Sequence, residues 1–352
     1  MTVEVKSVTR SWEQPIETGE IPESGTEFDA IVVGGGPGGS SAAGYLAKSG
    51  ARVLLIEKEV WPRDKVCGDA VGGKSLSHVE GLGVKADLES TPHFRVTGIM
   101  FSSPKGNSVR VPLPEEDVER LEAGYALPRA QFDSLLFNRC QAMVREAGGS
   151  VIQGGDVRTV LFDDGKGGED PGEGSGDARH ASGLVVRIGG RDGEERTYHT
   201  RELVGAAGYR CPVARSVVES SYSEAMMDRD HYCGGYREYW RNVKGCEESV
   251  GDIEIHFVDS VIPGYFWLFP VSENVVNVGI GMVMGLLDKQ KKKLKALQAD
   301  VIANHPMFKD RFAEAELVPG SAKGWQLPFG SPRKKSTNQP RRSSMNGVRL
   351  VG

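Results

Sequence analysis

The chain has 352 residues and is 39% hydrophobic, enough to build the cores of one large or two ordinary domains, which excludes disorder throughout. A formal net charge of -5 gives no electrostatic case for nucleic acid, whose binding rests on clustered Lys and Arg. The cysteines Cys67, Cys140, Cys211, Cys233 and Cys246 are odd in number and lack any C-x-x-C spacing, which argues against zinc, a dithiol or a disulfide framework and fits a reducing cytoplasmic setting.

Residues 1–27 are polar and read as a flexible tail without the apolar core of a signal peptide. No apolar run reaches the length of about 18 residues that a spanning helix needs, so only peripheral membrane contact stays open. From Phe28 to Val33 the chain is short, apolar and β-branched, as expected of a strand buried on both faces. Glycines end it. Residues 40–49 predict a helix, and Val53 to Ile56 a second buried strand closed by Glu57, which completes a βαβ unit.

Between that first strand and helix lies Gly34-Gly35-Gly36-Pro37-Gly38-Gly39. In this G-x-G-x-x-G pattern Gly34 permits the tight turn, Gly36 lets the backbone approach a pyrophosphate, and Gly39 allows close packing of helix on strand. The helix dipole favours the phosphate charge, and Glu57, about twenty residues on, can accept hydrogen bonds from ribose hydroxyls. An acidic residue there disfavours the 2′-phosphate of NADP, leaving FAD or NAD.

Further helical spacing marks 129–147, followed by a strand at Val151-Ile152. Residues 163–183, rich in Gly and Asp, read as a solvated insertion. Strands are expected at 184–186 and 203–205, and after Arg215 longer antiparallel segments at 253–257, 265–270 and 275–280. Residues 286–304 read as one basic helix exposing Lys289, Lys291, Lys292, Lys293 and Lys295, a solvated face or one drawn to a membrane surface.

Three segments then decide between the cofactors. Pro62-Arg63-Asp64-Lys65-Val66-Cys67-Gly68 follows the second strand, Arg129 with Phe132-Asp133 opens a helix, and Tyr265-Phe266-Trp267-Leu268-Phe269-Pro270 is an aromatic strand. In this order they resemble the geranylgeranyl reductase family of flavoproteins, over about residues 28–352.

The resemblance implies an α/β fold: a Rossmann-like FAD-binding domain of the aromatic-hydroxylase type with a second, antiparallel-sheet substrate domain. The expected layout is a tail at 1–27, the FAD domain at 28–215 with its insertion, the substrate domain at 216–345, and the start of a returning FAD-domain strand at 346–352. The family's next flavin segment, Gly-Asp-Ala-Ala-Gly, lies beyond Gly352, so a fragment of a longer protein is expected. Ala207 stands where related flavoproteins carry an Asp.

Carried over, Gly38, Glu57, Cys67, Gly68, Ala70, Arg129 and Val157 would contact FAD, while Tyr265, Trp267 and Phe269 would line a polyprenyl tunnel. Read from the residues alone, those aromatics alternate onto one strand face, which suits either an apolar alkene or plain core packing. Cys67, near Lys65 and before a glycine, is either a packing residue or a polarised thiol. Reduction of an alkene needs a proton donor, and Cys67 and Tyr265 are the candidates. His78, His231 and His256 are isolated and read as structural.

The implied activity is FAD-dependent reduction of geranylgeranyl double bonds on lipids or related isoprenoids. Its electron donor is left open among ferredoxin, a deazaflavin and NAD(P)H, since no second nucleotide loop is present. A flavin monooxygenase or halogenase of the same fold, and a non-catalytic lipid-binding relative, are the competing readings.

Overall fold

The computed structural model describes residues 19–116, 124–163, 183–189, 193–221, 224, 229–247, 249–329, 332–334, 337–340, 342–345 and 347–351. Most of the expected tail and of the expected insertion thus lie outside the described residues.

In chain order the elements used below are β1 (Glu27–Val33), α1 (Pro37–Lys48), β2 (Val53–Glu57), β3 (Ala70–Gly72), β4 (Phe94–Arg95), β5 (Gly98–Ser102), β6 (Ser108–Pro112), β7 (Gly124–Ala126), α2 (Arg129–Glu146), β8 (Ser150–Gln153), β9 (Asp156–Asp163), β10 (Gly183–Gly189) and β11 (Glu195–Gly205). They continue as β12 (Tyr232–Arg241), β13 (Asp252–His256), β14 (Tyr265–Ser272), β15 (Val275–Val283), α3 (Met284–Gln290), α4 (Leu294–Asn304), β16 (Lys323–Pro328) and β17 (Val348–Leu350).

Two compact units divide the chain, one made of Met1–Asp64, Ala130–Ser223 and Arg342–Gly352, the other of Lys65–Arg129 and Glu224–Arg341. The first is built on a sheet in which β17, β11, β1, β2 and β8 lie side by side, every adjacent pair parallel. Parallel neighbours need crossovers that cover the sheet, which is why β2 is buried at every position and reads Val-Leu-Leu-Ile. Beneath α1 and α2, Val32, Ala43, Leu55, Phe137 and Val144 form one apolar cluster. Strand β10 joins antiparallel to both β11 and β9.

Within the stretch expected as the FAD domain, 28–215, residues 65–129 group by contact with the second unit. Their strand β5 pairs in parallel with β13, from Gly98 opposite Asp252 to Ser102 opposite His256. Arg110 on β6 reinforces the join by donating from Nε to both oxygens of Asp252, each at 2.9 Å. These pairings over long sequence separation leave no periodicity for a sequence to display.

The second unit holds a sheet ordered β12, β15, β14, β13, β5 and β6, with β16 on the free side of β12. One face of it is apolar core: Phe266, Leu268, Val278, Ile280 and Met282 pack with Leu297 and Val301 of α4. A second correction falls on the basic segment. Instead of one helix over 286–304, α3 stops at Gln290 and α4 begins at Leu294, with Lys291 left-handed at φ 53°. The Lys292 amide reaches back to the Leu287 carbonyl at 3.0 Å, a C-terminal stop of the kind glycine usually makes. Lys291, Lys292 and Lys293 therefore sit in an exposed connection and not on a continuous helical face.

Candidate functional site

In the first unit β1 runs between β2 and β11, so the loop that leaves its carboxyl end sits where the connections diverge to opposite sides. Open α/β sheets bind ligands at such points. The Gly34 amide continues the ladder by donating to the Ile56 carbonyl at 2.7 Å, and the Ala206 amide donates to the Val33 carbonyl at the same distance. Gly34 then turns at φ 106°, where a Cβ would lie 2.6 Å from the Ala206 carbonyl carbon and 2.7 Å from the Cα of Ala207. At Gly39 a Cβ would fall on the Gly34 carbonyl oxygen. Both glycines are required by these close approaches. Gly36 caps α1, Pro37 takes its first turn, and Gly38 follows inside the helix.

Glu57 is buried, and its carboxylate accepts the Gly35 amide at 2.6 Å and the Glu59 amide at 2.8 Å. It braces the loop as well as offering remaining lone pairs to a ribose. The Gly155 amide donates to the Glu57 carbonyl at 3.0 Å, which brings the start of β9, with buried Val157, to the same end of β2. A residue missed by the sequence reading is Arg63. Its guanidinium stacks on Trp61 at 4.4 Å, approaches Asp133 at 3.5 Å, and stands 3.2 Å from where a Gly36 Cβ would be. Trp61 in turn stacks on Phe137, which packs against Gly35. A cation two residues after a tryptophan at the end of β2 was the available signal. Glycine backbone without room for Cβ atoms, a helix N-terminus, a braced carboxylate and a placed cation together fit the ADP half of FAD.

The second unit gathers another set. Cys67 and Gly68 are half-buried, and Ala70 opens β3, exposed. Arg129 is buried at the start of α2. On β14 the three aromatics share a face, yet unequally: Tyr265 is 41% exposed, Phe269 half-buried and Trp267 only 6% exposed. Gly68 has no room for a Cβ because the Phe269 ring lies 2.6 Å from that position. In register on the same face come Ile255 beside Trp267 and Phe101 beyond it, both half-buried. At the far edge of the same face Trp325 and Leu327 of β16 are exposed at 48% and 37%. This incompletely covered apolar face contrasts with the sealed core on the reverse.

Under it runs a polar network that spacing could not reveal. The Trp267 indole N–H donates to Oδ1 of Asn277 at 2.8 Å. Asn277 donates from Nδ2 to the Cys67 carbonyl and to Oδ2 of Asp69, both at 2.7 Å, and the Tyr239 hydroxyl donates to the same Oδ2 at 2.6 Å. Burial raises the Asp69 carboxyl to about 6, against the lowering effect of Tyr239, Asn277, Arg237 and Arg129. Burial likewise pushes the Tyr265 phenol upward, with Cys233 and Cys67 adding to it, so its hydroxyl keeps its proton at neutral pH. His256 is not isolated: Ser102 lies 2.8 Å from Nδ1 and Glu254 2.8 Å from Nε2. All three are buried, and Arg311 holds the Glu254 carboxylate at 2.6 and 2.7 Å, so this Ser-His-Glu row is a core clamp.

Comparison with known proteins agrees with both halves. Residues 27–165 match the FAD binding domain family model, and residues 230–318 match the geranylgeranyl reductase catalytic domain. In these two segments the chain is similar to FAD-binding proteins and to geranylgeranyl reductases. Among relatives, menaquinone reductase of Mycolicibacterium smegmatis is 27% identical over 258 residues, covering 73% of this chain and 55% of the relative. Digeranylgeranylglycerophospholipid reductase of Sulfolobus acidocaldarius is 29% identical over 268 residues, covering 74% and 51%. The chain thus spans about half the length of these curated relatives. Among solved structures, a myxobacterial chondrochloren halogenase superposes with a TM-score of 0.72 at 26% identity, over 94% of this chain and 68% of the halogenase. The FAD binding domain match points to FAD as the cofactor, and the glycine loop with Glu57 has a geometry that suits an ADP moiety. Among the described residues no helix is long and apolar enough to cross a membrane.

Proposed function

We propose that this chain carries the FAD-binding and polyprenyl-binding parts of a reductase that saturates isolated C=C bonds of a polyprenyl chain, borne on a digeranylgeranyl lipid or on menaquinone. The observation that carries the reading is the apolar sheet face of Tyr265, Trp267 and Phe269 in the same unit as Cys67 and Gly68. An unactivated alkene offers no charge or hydrogen-bonding group to recognise, so shape and apolar area must hold it. Tyr265, Trp267 and Phe269 supply aromatic area for that purpose.

When bound, FAD supplies the hydride in this chemistry. Gly34, Gly36, Gly38 and Gly39 with Glu57 hold its ADP half, and Arg63 neutralises phosphate charge. Cys67, Gly68, Ala70, Arg129 and Val157 are the proposed further contacts. A proton must reach the second alkene carbon, and the Tyr265 hydroxyl and the Cys67 thiol are the proposed donors. The donor of electrons is proposed from ferredoxin, a deazaflavin and NAD(P)H. A lipid substrate also makes peripheral membrane contact part of the reading.

Halogen or oxygen insertion is the second reading, favoured by the structural likeness to the halogenase. Incubation of full-length, dithionite-reduced protein with geranylgeranyl lipid or menaquinone vesicles, followed by mass spectrometry, separates them. Gain of two hydrogens per double bond supports the reductase. Incorporation of oxygen or halide, after air and halide are admitted, supports the other.

A further inference from the structure

The hydrogen bonds around Asp69 form a connected frame with a fixed direction. The Trp267 indole nitrogen can only donate and the Cys67 carbonyl can only accept, so the Asn277 amide between them has one orientation, with Oδ1 toward the indole and Nδ2 toward the carbonyl. Asn277 therefore joins an aromatic residue of the apolar face to the Cys67–Gly68 turn. The same Nδ2 reaches Oδ2 of Asp69, which also receives the Tyr239 hydroxyl. Asp69 is itself left-handed, at φ 67°, a turn conformation that aspartate adopts more readily than most residues other than glycine. Its carbonyl accepts the Leu127 amide at 3.1 Å, which pins the turn from the other side.

The side chain is fully buried, and its Oδ1 has no hydrogen-bond partner among the described residues. A carboxyl held by two donors on one oxygen and none on the other can gain or lose a proton on the free oxygen without breaking the clasp. The charged groups facing it are Arg237, on the same strand as Tyr239, and Arg129. Arg237 stacks on the Tyr239 ring at 4.3 Å, so the phenol is held from both ends.

We propose that Asp69 is a positioning residue for the reduction: through Asn277 and Tyr239 it locks the Cys67 carbonyl and the Trp267 indole into one frame, and ionisation of its carboxyl tightens that frame. Hydrogen bonds to a carboxylate are shorter and roughly twice as strong as those to a neutral acid. The frame is thus tight above a pH of about 6 and loose below it. Neither Asp69 nor Asn277 stands out by spacing; Asn277 lies opposite Phe269 in the β14–β15 ladder, and Phe269 packs on Gly68, next to Asp69.

The kinetic part of this inference rests on the reductase reading, and the spectroscopic part does not. In full-length protein carrying indole-15N tryptophan, the five indole signals are followed from about pH 5 to 8, with Trp267→Phe assigning one of them. The Trp267 signal is expected to shift with a midpoint near 6, to lose that shift in Asp69→Asn, and to lose it in Asn277→Ala even though Asp69 is intact. A pH-independent Trp267 signal in the wild type, or an unchanged midpoint in Asp69→Asn, overturns the frame. Alkene reduction by the wild type is expected to fall several-fold as pH drops through 6, and to be slow and flat in Asp69→Asn with flavin absorbance retained. A pH limb that persists in Asp69→Asn overturns the positioning role. Absence of alkene reduction in the wild type, with the indole titration intact, defeats only the reductase reading.

Discussion

Trp267 lies against Gly279, its cross-strand partner, so closely that a Cβ on the glycine would fall on the indole ring. The missing side chain on β15 is what allows the indole to lie flat on the sheet with its N–H directed at Asn277. Gly279→Ala is expected to expel the indole from this place, at a cost of about 1–3 kcal/mol for overpacking. Chemical denaturation checks the cost, and the polyprenyl affinity of the variant checks the consequence, an expected fall of at least tenfold. Unchanged affinity would mean that Trp267 is core and nothing more.

The phosphate loop carries its own test. Glu57→Gln leaves one acceptor oxygen where the carboxylate now serves the amides of both Gly35 and Glu59. Losing one buried, charge-assisted hydrogen bond costs about 1.5–3 kcal/mol, so FAD affinity is expected to weaken roughly tenfold to a hundredfold. Arg63→Ala is expected to weaken FAD by a smaller factor and to lessen the dependence of that affinity on salt, since one cation facing phosphate is removed. Flavin fluorescence titrations at low and high salt measure both.

Stability toward acid depends on the Glu254 clamp. Burial raises the Glu254 carboxyl, but hydrogen bonds from Arg311 and His256 outweigh it and hold the group at about 2, below the ordinary 4.5. A depressed carboxyl stabilises the fold above its unfolded value, and that contribution is lost as pH falls from about 4.5 through 2. Arg311→Ala leaves the carboxylate buried with its main cationic partner gone, at an expected cost of about 3–5 kcal/mol at neutral pH. Urea melts at pH 7 and pH 3 should show the deficit shrinking in acid.

Asp69 has the opposite sign. Its folded value is raised from 3.8 to about 6, so the folded state holds the proton more tightly than the unfolded chain. The fold is favoured at low pH, and this advantage is lost as pH rises toward 6, leaving a penalty of roughly 3 kcal/mol at neutral pH. Asp69→Asn is therefore expected to stabilise the protein at pH 7.5 by up to that amount and to do little at pH 4. A group retained at such a cost is the pattern of a functional site. A variant less stable than the wild type at pH 7.5 but not at pH 4 contradicts this.

Local signals carried much of the reading, and long-range ones carried none. The buried run of β2, the glycine loop and Glu57 are legible because each acts within one βαβ unit, where period and spacing express the fold directly. The alternation of Tyr265, Trp267 and Phe269 gave their common face but not the burial of Trp267, which depends on a glycine of the next strand. Residues 65–129 joined the second unit through β5 and β13, a pairing with no periodic trace. Lys291 broke an expected helix although its neighbours continue the pattern. Asp69 and Asn277, 208 positions apart, meet only through tertiary packing, and Arg63 reaches the loop by stacking on Trp61.

The most direct test of the account is anaerobic turnover of the full-length, FAD-loaded, reduced protein on a geranylgeranyl lipid, with the product read by mass spectrometry beside a Trp267→Ala control. The account predicts mass gains of whole hydrogen pairs in the polyprenyl chain, sharply reduced in the control, with flavin binding preserved in both. A polyprenyl chain left unsaturated by reduced, flavin-loaded wild type, when menaquinone is likewise unchanged, would contradict it.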